Sequence, residues 1–508
     1  MKLFDNHLIA ALRHTDPAKK LIAEGARSIT AGELLKASIQ RAALFRNKGM
    51  KKGDKVLIAV PSGIDLAICL FALMMNGVVI ALVDPQMGRE NYKQKLRQLN
   101  PDHAVLDSRL MLIREHPLLR WVLTRFFPKI PVLPFLPAPS IFTTGIRLPV
   151  FTRHVHLKAD TLTDLNPEWE TIPAEEDFFI TYTSGTTSEP KGVVHSYRSL
   201  SQSIGLLTQM LRSNAGHRSL ATHLPHYLLI GINAGLEVHI WKEAWSPSVK
   251  LNFIEDRHIS TLFGPPSEFE PMIRELKQNQ SRIPSCVAGI FLGSAPVPLS
   301  FLEKILPLAG HADLTILYGM TEHLLIAQGD ARKKFSRKAK GDWIGKPFAD
   351  VELSFSDEGE LGISSPQIFK RYWGQDTVTL PFPTGDLARL DEEGNIVLLG
   401  RKKDMIIRGN FNIYPPLYEP IICSIPGIWD AALVGRYNEE KSDEELILVV
   451  ESDGKMKAGD ILDRLRSGPH SIDREALPDQ IIFMPLPRCG RHQKIDKKLL
   501  VQKLLQMP

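Results

Sequence analysis

Cysteine is scarce in this chain of 508 residues: Cys69, Cys286, Cys423 and Cys489 lie far apart, with no C-x-x-C pair. The spacing argues against a zinc site and against a disulfide framework, and it suits a reducing cytoplasm. An excess of one charge is missing too. The formal net charge is +5, on 62 basic and 57 acidic residues, which points neither to nucleic acid nor to an acidic partner. The first residues, MKLFDNHLIAALRHTD, hold no sustained apolar stretch and read as carrying no signal peptide. No internal repeat and no low-complexity tract is visible.

Long apolar runs are almost absent. Leu66 to Val83 is nearly all apolar and about long enough to span a bilayer. Asn76-Gly77 interrupts it, so the run reads as a buried helix, a turn and a strand rather than as a transmembrane segment. A second stretch, Leu118 to Phe142, mixes Arg120, Arg125 and Lys129 with Trp121, Phe126, Phe127 and Phe135. Its prolines forbid a spanning helix. It reads as an insertion packed on its own protein, with weak peripheral contact at a membrane surface as the alternative.

What is present is ordinary for a globular protein, 44% hydrophobic and 23% charged. The length exceeds what one core organises, so two or more domains are expected. Residues 30 to 110 alternate helices (34–48, 64–75, 92–99) with short apolar strands (55–60, 78–83, 103–106). The same alternation returns between 251 and 317, with helices at 251–257, 266–277 and 300–308 and strands at 260–263, 289–292 and 314–317. This βαβ pattern predicts an α/β fold of mostly parallel sheets covered by helices. Residues 351–399 change to short strands with Gly and Pro turns, predicting a small β-subdomain. The expected division is 1–400 and 401–508, the second a small, mobile α+β lobe.

The richest stretch is Phe178 to Val194, FFITYTSGTTSEPKGVV. A β-prone run opens into hydroxyls and glycines and ends in Pro190-Lys191-Gly192. Such a loop can aim backbone N–H groups, hydroxyls and one lysine at a polyphosphate. It is no Walker A loop, because no Gly-Lys-Ser/Thr end enters a helix. Further along come Gly293-Ser294-Ala295-Pro296, Tyr318-Gly319-Met320-Thr321-Glu322, Thr384-Gly385-Asp386, Gly400-Arg401-Lys402-Lys403-Asp404 and Pro487 to Ile495. Taken singly, each is ordinary loop material following a strand. Their joint order carries the information.

In that order the chain resembles the superfamily of adenylate-forming enzymes, which includes acyl- and aryl-CoA synthetases, peptide-synthetase adenylation domains and luciferases. The resemblance runs from about Ile29 to Leu500 and is closest to the fatty acid–CoA ligases. It implies ATP and Mg²⁺ as cofactors, a small-molecule carboxylic acid as substrate and coenzyme A as acceptor. Thr183, Ser184, Gly185, Thr186, Thr187 and Lys191 match the phosphate loop. Tyr318, Gly319, Thr321 and Glu322 match the nucleotide and metal motif, with Gly293 to Pro296 framing adenine against Tyr318. Asp386 matches the ribose contact, Arg401 its reinforcement, Lys403 the hinge and Lys494 the catalytic lysine. These roles agree with the chemistry. Two anions must meet when a carboxylate attacks the α-phosphorus, so charge has to be neutralised and both groups held in line. Glu322 offers the hard oxygen that Mg²⁺ requires. Asp386 offers acceptors for paired hydroxyls. Lys494 is a compact charge able to bridge carboxylate and phosphate.

Some positions depart from the family pattern. Ser188, Arg371, Asn410 and Gln493 stand where glycine is expected. Asn410 would project near the family's pantetheine tunnel, which keeps other acceptors open: an acyl carrier protein, or an internal hydroxyl as in β-lactone-forming relatives. A non-catalytic nucleotide- or lipid-binding relative is the remaining alternative. His223 to Gly235 resembles the pocket-forming stretch, with His226, Tyr227 and Gly231 as pocket candidates. Leu228 stands where the family often places histidine; His226 is the candidate substitute, alongside a purely structural histidine. The Leu- and Ile-rich run favours an apolar acyl group, a medium- or long-chain fatty acid.

Overall fold

The computed structural model describes residues 3–4, 7–82, 89–110, 140–145, 155–157, 172–182, 191–214, 216–337, 341–408, 411–438, 443–489 and 494–506. Two large sheets organise the chain up to Arg401. The first has eight strands in the order Arg371–Tyr372, Gly192–Ser196, Asp177–Tyr182, Val79–Leu82, Lys55–Ala59, His103–Asp107, Ser140–Thr144, Val155–His156. From Asp177–Tyr182 through Val155–His156 its pairings are parallel, while Gly192–Ser196 and Arg371–Tyr372 add antiparallel edges. The second has thirteen strands. Its parallel part runs Lys20–Glu24, Glu237–Ile240, Ser219–Thr222, Thr261–Gly264, Gly289–Leu292, Asp313–Met320. Its antiparallel part continues through His323–Asp330, Asp342–Pro347, Ile396–Arg401, Phe382–Leu390, Glu360–Ser364 and Glu352–Phe355. The short strands expected as a small β-subdomain form this antiparallel part of the sheet.

The apolar run at 66–83 shows how the sequence sets the layers. Helix Ile64–Met75 buries nearly its whole length, because sheet and helices cover it on all sides. Asn76 caps it: its side chain donates to Ala42 O and accepts from Arg46. Gly77, at φ +64°, turns the chain into Val79–Leu82. Among the described residues no helix is long and apolar enough to cross a membrane. Most of the 118–142 insertion lies outside the described residues.

From Ile406 onward the chain builds cores of its own. Strands Ile428–Asn438, Asp443–Ser452 and Gln480–Phe483 form a three-stranded sheet. Helices Pro415–Cys423 and Ala458–Arg466 pack in one cluster, and helix Lys497–Leu505 in another. At the junction a single 3-10 turn, Lys402–Asp404, follows Arg401. There Lys402 Nζ lies 2.6 Å from Glu358 and 3.0 Å from Glu360.

Candidate active site

Among the described motif residues, Gly293 to Pro296 and Tyr318 to Glu322 stand at the ends of strands Gly289–Leu292 and Asp313–Met320 of the larger sheet. Asp313–Met320 continues through Tyr318-Gly319-Met320, although the glycine suggested a loop. Met320 pairs with His323, so Thr321 and Glu322 are the two residues of a tight hairpin turn. The register shifts between Tyr318 and Met320. Gly319 is required there: a Cβ at this position would lie 2.0 Å from Leu324 O. Likewise Thr384-Gly385-Asp386, which resembles a free turn, lies inside strand Phe382–Leu390, with Asp386 opposite Arg401.

That pairing creates a polar cluster around one buried carboxylate. Asp386, 5% exposed, accepts from Tyr318 Oη at 2.5 Å and from Arg401 Nε at 2.8 Å. Arg401 Nη1 also donates to Thr384 O at 3.1 Å. The Thr384 hydroxyl accepts from Asp386 N–H and donates to Leu361 O. Burial raises the Asp386 carboxyl above its ordinary value, with Arg401 and the Tyr318 hydroxyl opposing the rise. Tyr318 is raised well above its usual range, by burial first and then by Asp386. A carboxylate offers about four lone-pair sites, so acceptor capacity remains for hydroxyls beyond these two bonds.

The turn beside it is held from elsewhere. Glu322 is buried, its Oε1 accepts from Tyr372 Oη at 2.8 Å, and its carbonyl accepts from Phe369 N–H at 2.8 Å. Lys191 Nζ stands 4.7 Å above the Tyr372 ring. The Thr321 carbonyl accepts from His195 Nε2 at 2.7 Å. His195 and His323 are both buried and both pushed down to about 4, by burial first. Neither ring nitrogen of His323 has a hydrogen-bond partner among the described residues. No cluster of three or more metal-ligating side chains occurs among those residues. Glu322 thus stands as a single carboxylate. That fits Mg²⁺, which keeps waters and takes its other ligands from substrate phosphates.

Gly293 to Pro296 follows strand Gly289–Leu292. Ser294 is left-handed, at φ +62°, a conformation few non-glycine residues adopt and one found at ligand-contacting loops. Its side chain meets the hydroxyl of buried Tyr227, which burial pushes up to about 12. Tyr227 stacks on Phe263, and Phe263 on Phe291. His226 is exposed, its ring 4.1 Å from that of Tyr227. Gly231 faces the sheet, where a Cβ would come within 2.5 Å of Val238 Cγ2. Leu228 is fully buried.

Thr183 to Thr187, Ser188, Asn410 and Gln493 lie outside the described residues. So does the side chain of Lys494, whose backbone pairs with Cys489 in a short ribbon. Arg488 anchors that ribbon to Asp430 and Glu451 of the C-terminal sheet. Lys403 is exposed in the junction turn.

Other residues are visible only in the fold. His195 and Tyr372 are two of them. Arg371, at an expected glycine, forms an ion pair with Asp177, which Lys370 also binds at 2.8 Å. A third group is partly charged: His223 Nδ1 lies 3.7 Å and Lys250 Nζ 3.5 Å from Glu268 Oε1. Glu268 Oε2 also lies 3.0 Å from where a Cβ on Gly264 would stand.

The family model described as AMP-binding enzyme matches residues 10–373. A curated relative, the long-chain-fatty-acid–CoA ligase of Bacillus subtilis, is 24% identical over 505 residues, covering 90% of this chain and 88% of the relative. The mitochondrial medium-chain acyl-CoA ligase of Mus musculus is 23% identical over 515 residues, covering 93% and 83%. Among solved structures, the amide bond synthetase McbA of Marinactinospora thermotolerans superposes with a TM-score of 0.81 at 18% identity, covering 98% of this chain and 99% of that one.

Proposed function

This chain belongs to the AMP-binding enzyme family, whose members activate acids as adenylates, and we propose that its acid is a medium- or long-chain fatty acid and its acceptor the thiol of coenzyme A. The observation that carries the nucleotide half is the Tyr318–Asp386–Arg401 cluster, with Asp386 buried at its centre, beside the Thr321–Glu322 turn. The acid half rests on the apolar helix Pro225–Ala234 with the Tyr227–Phe263–Phe291 stack and on the names of the curated ligases.

In this reading Asp386 receives the ribose hydroxyls and Tyr318 backs the adenine. Thr321 donates to the α-phosphate, and Glu322 would hold Mg²⁺, which would supply neutralising charge to the phosphates. Thr183 to Thr187 and Lys191 cradle the outer phosphates. The acid's carboxylate oxygen attacks the α-phosphorus, the bond to the bridging oxygen breaks, and pyrophosphate leaves. Lys494 bridges carboxylate and phosphate, so the 401–508 lobe has to close on the 1–400 body for this step. A turn of that lobe about Lys403 then admits the thiol. Its sulfur bonds the acyl carbon, AMP departs with the electron pair of the C–O bond, and the thiol proton goes to solvent.

A second reading of the acid is favoured by the His223–Glu268–Lys250 group. The Glu268 carboxylate, whose charge acts on the Tyr227 hydroxyl, suits an acid with a polar substituent better than a plain alkyl tail. ATP–pyrophosphate exchange with Mg²⁺ decides between them, using saturated, 3-hydroxy, ω-amino and aryl acids. Exchange with saturated acids upholds the first reading. Exchange confined to polar acids replaces it with the second. No exchange with any of these acids removes both readings, and pyrophosphate release by Lys494→Ala equal to that of the wild type removes Lys494 from the step. Thioester formation with coenzyme A, tested against a carrier protein, then settles the acceptor.

A further inference from the structure

We propose that His195 is the positioning residue of the Thr321–Glu322 turn, fixing it against the strand that leaves the phosphate loop. The proposal rests on reading that turn as the α-phosphate and Mg²⁺ side of a nucleotide site.

His195 is 2% exposed and belongs to strand Gly192–Ser196, which begins directly after Lys191. That strand lies in the eight-stranded sheet, whereas the turn lies in the thirteen-stranded one. The bond from Nε2 to Thr321 O, 2.7 Å long, therefore ties one sheet to the other at the point where the site needs both. A carbonyl oxygen only accepts, so Nε2 carries the proton. Nδ1 is then the acceptor, and the Ser199 hydroxyl stands 3.3 Å from it. Ser199 is itself fixed at the start of helix Tyr197–Ser213, where it exchanges capping bonds with Ser196. The ring is thus held at Nε2, with the Ser199 hydroxyl beside Nδ1, its one proton shared with Ser196 O at 3.3 Å. Burial keeps it neutral, which leaves one donor and one acceptor, the pattern these partners require.

The two residues of the turn have different holders. Phe369 and Tyr372 hold Glu322; among the described hydrogen bonds, His195 alone holds the Thr321 carbonyl. The hydroxyl of Thr321 sits one residue from the metal-side carboxylate. A shift of the turn would move the α-phosphate donor relative to Lys191. Misplacement by about 1 Å is enough to cost about a hundredfold in rate. Tyr318, Asp386 and Arg401 hold the adenosine side within their own sheet.

The test compares two ligands on the full chain by titration calorimetry, MgATP and adenosine, in wild type, His195→Leu and His195→Gln. The expected result is MgATP binding weakened by about tenfold or more in His195→Leu, with adenosine binding changed by less than about twofold. The amide N–H of His195→Gln can reach the same carbonyl and should restore MgATP binding to within about threefold of wild type. Unchanged MgATP affinity in His195→Leu overturns the proposal. Parallel loss of both ligands in both variants also overturns it, since that is what a purely structural histidine would give. If His195→Leu does not fold, His195→Asn replaces it; its amide is too short to span the gap, and the same MgATP-to-adenosine ratio is read against His195→Gln. A wild-type chain that binds neither ligand removes the nucleotide reading and takes this proposal with it. A null result in the variants alone removes only the proposal.

Discussion

Tyr318, Asp386 and Arg401 are held by strands of a single sheet, whereas Thr321 and Glu322 are held across two. In the first group every bond named above closes within the thirteen-stranded sheet: Asp386 and Arg401 on neighbouring strands, Tyr318 reaching Asp386 from a strand further along. In the second, the donors are His195 and Tyr372 of the eight-stranded sheet and Phe369 beside it. On the proposed reading, the adenosine side requires one sheet to be folded and the metal side requires two sheets to keep their mutual position. Disturbances that slide one sheet on the other should disarm phosphate chemistry while leaving nucleoside recognition standing.

The sharpest separation should come from Glu322→Gln. It should lower the exchange rate by about a hundredfold to a thousandfold with adenosine affinity unchanged; a loss of adenosine binding would show that the two ends are not independent. Asp386→Ala should do the opposite, weakening adenosine and ATP alike by about a hundredfold through the loss of acceptors for two hydroxyls. Equal adenosine affinity in that variant would break the assignment of Asp386. Tyr372→Phe removes one donor from Glu322 and should raise the Mg²⁺ concentration for half-maximal exchange by about tenfold, hydrogen bonds to charged groups being worth about 1.5–3 kcal/mol. An unshifted Mg²⁺ requirement would detach Tyr372 from the metal side.

The mildest effect is on stability. His195 and His323 have folded values near 4, against 6.5 for the ordinary side chain. The unfolded chain binds more protons between those values, so stability falls as the pH drops from about 6.5 toward 4. The slope is at most about 1.4 kcal/mol per pH unit for each histidine. Urea midpoints at pH 7 and pH 5 should show this fall, and His195→Gln should reduce it. A midpoint independent of pH would contradict the burial of both rings.

The sequence was legible where apolar composition and punctuation coincide. Helix Ile64–Met75 and strand Gly289–Leu292 fall at the expected residues, bounded by Gly63 and Asn76 in one case and by Gly293 in the other. It misled where a glycine serves a tertiary purpose. Gly319 reads as a loop residue, yet it sits in a strand because Leu324 O approaches too closely for any side chain. Gly385 reads as a turn and lies inside a strand. The order of motifs singles out Tyr318, Glu322, Asp386 and Arg401. His195 and Tyr372 stay hidden because each is one polar residue in a short strand, and its partner lies 126 or 50 residues away along the chain. Glu268 was missed for the same reason: it reaches the pocket stretch from a different helix.

The ion pairs of Lys402 give the junction a property of their own. Its side chain is 43% exposed where it meets Glu358 and Glu360, so water and dissolved ions reach the contact. The screening length shrinks from about 8 Å at physiological ionic strength to about 3 Å at 1 M salt. In the proposed function the C-terminal lobe turns about the neighbouring Lys403; these charges fix the residue on the near side of that hinge, and added salt loosens it. The same salt weakens the grip on a polyphosphate. Turnover should therefore climb and then fall as salt is raised, with Lys402→Ala flattening the climb and leaving the fall.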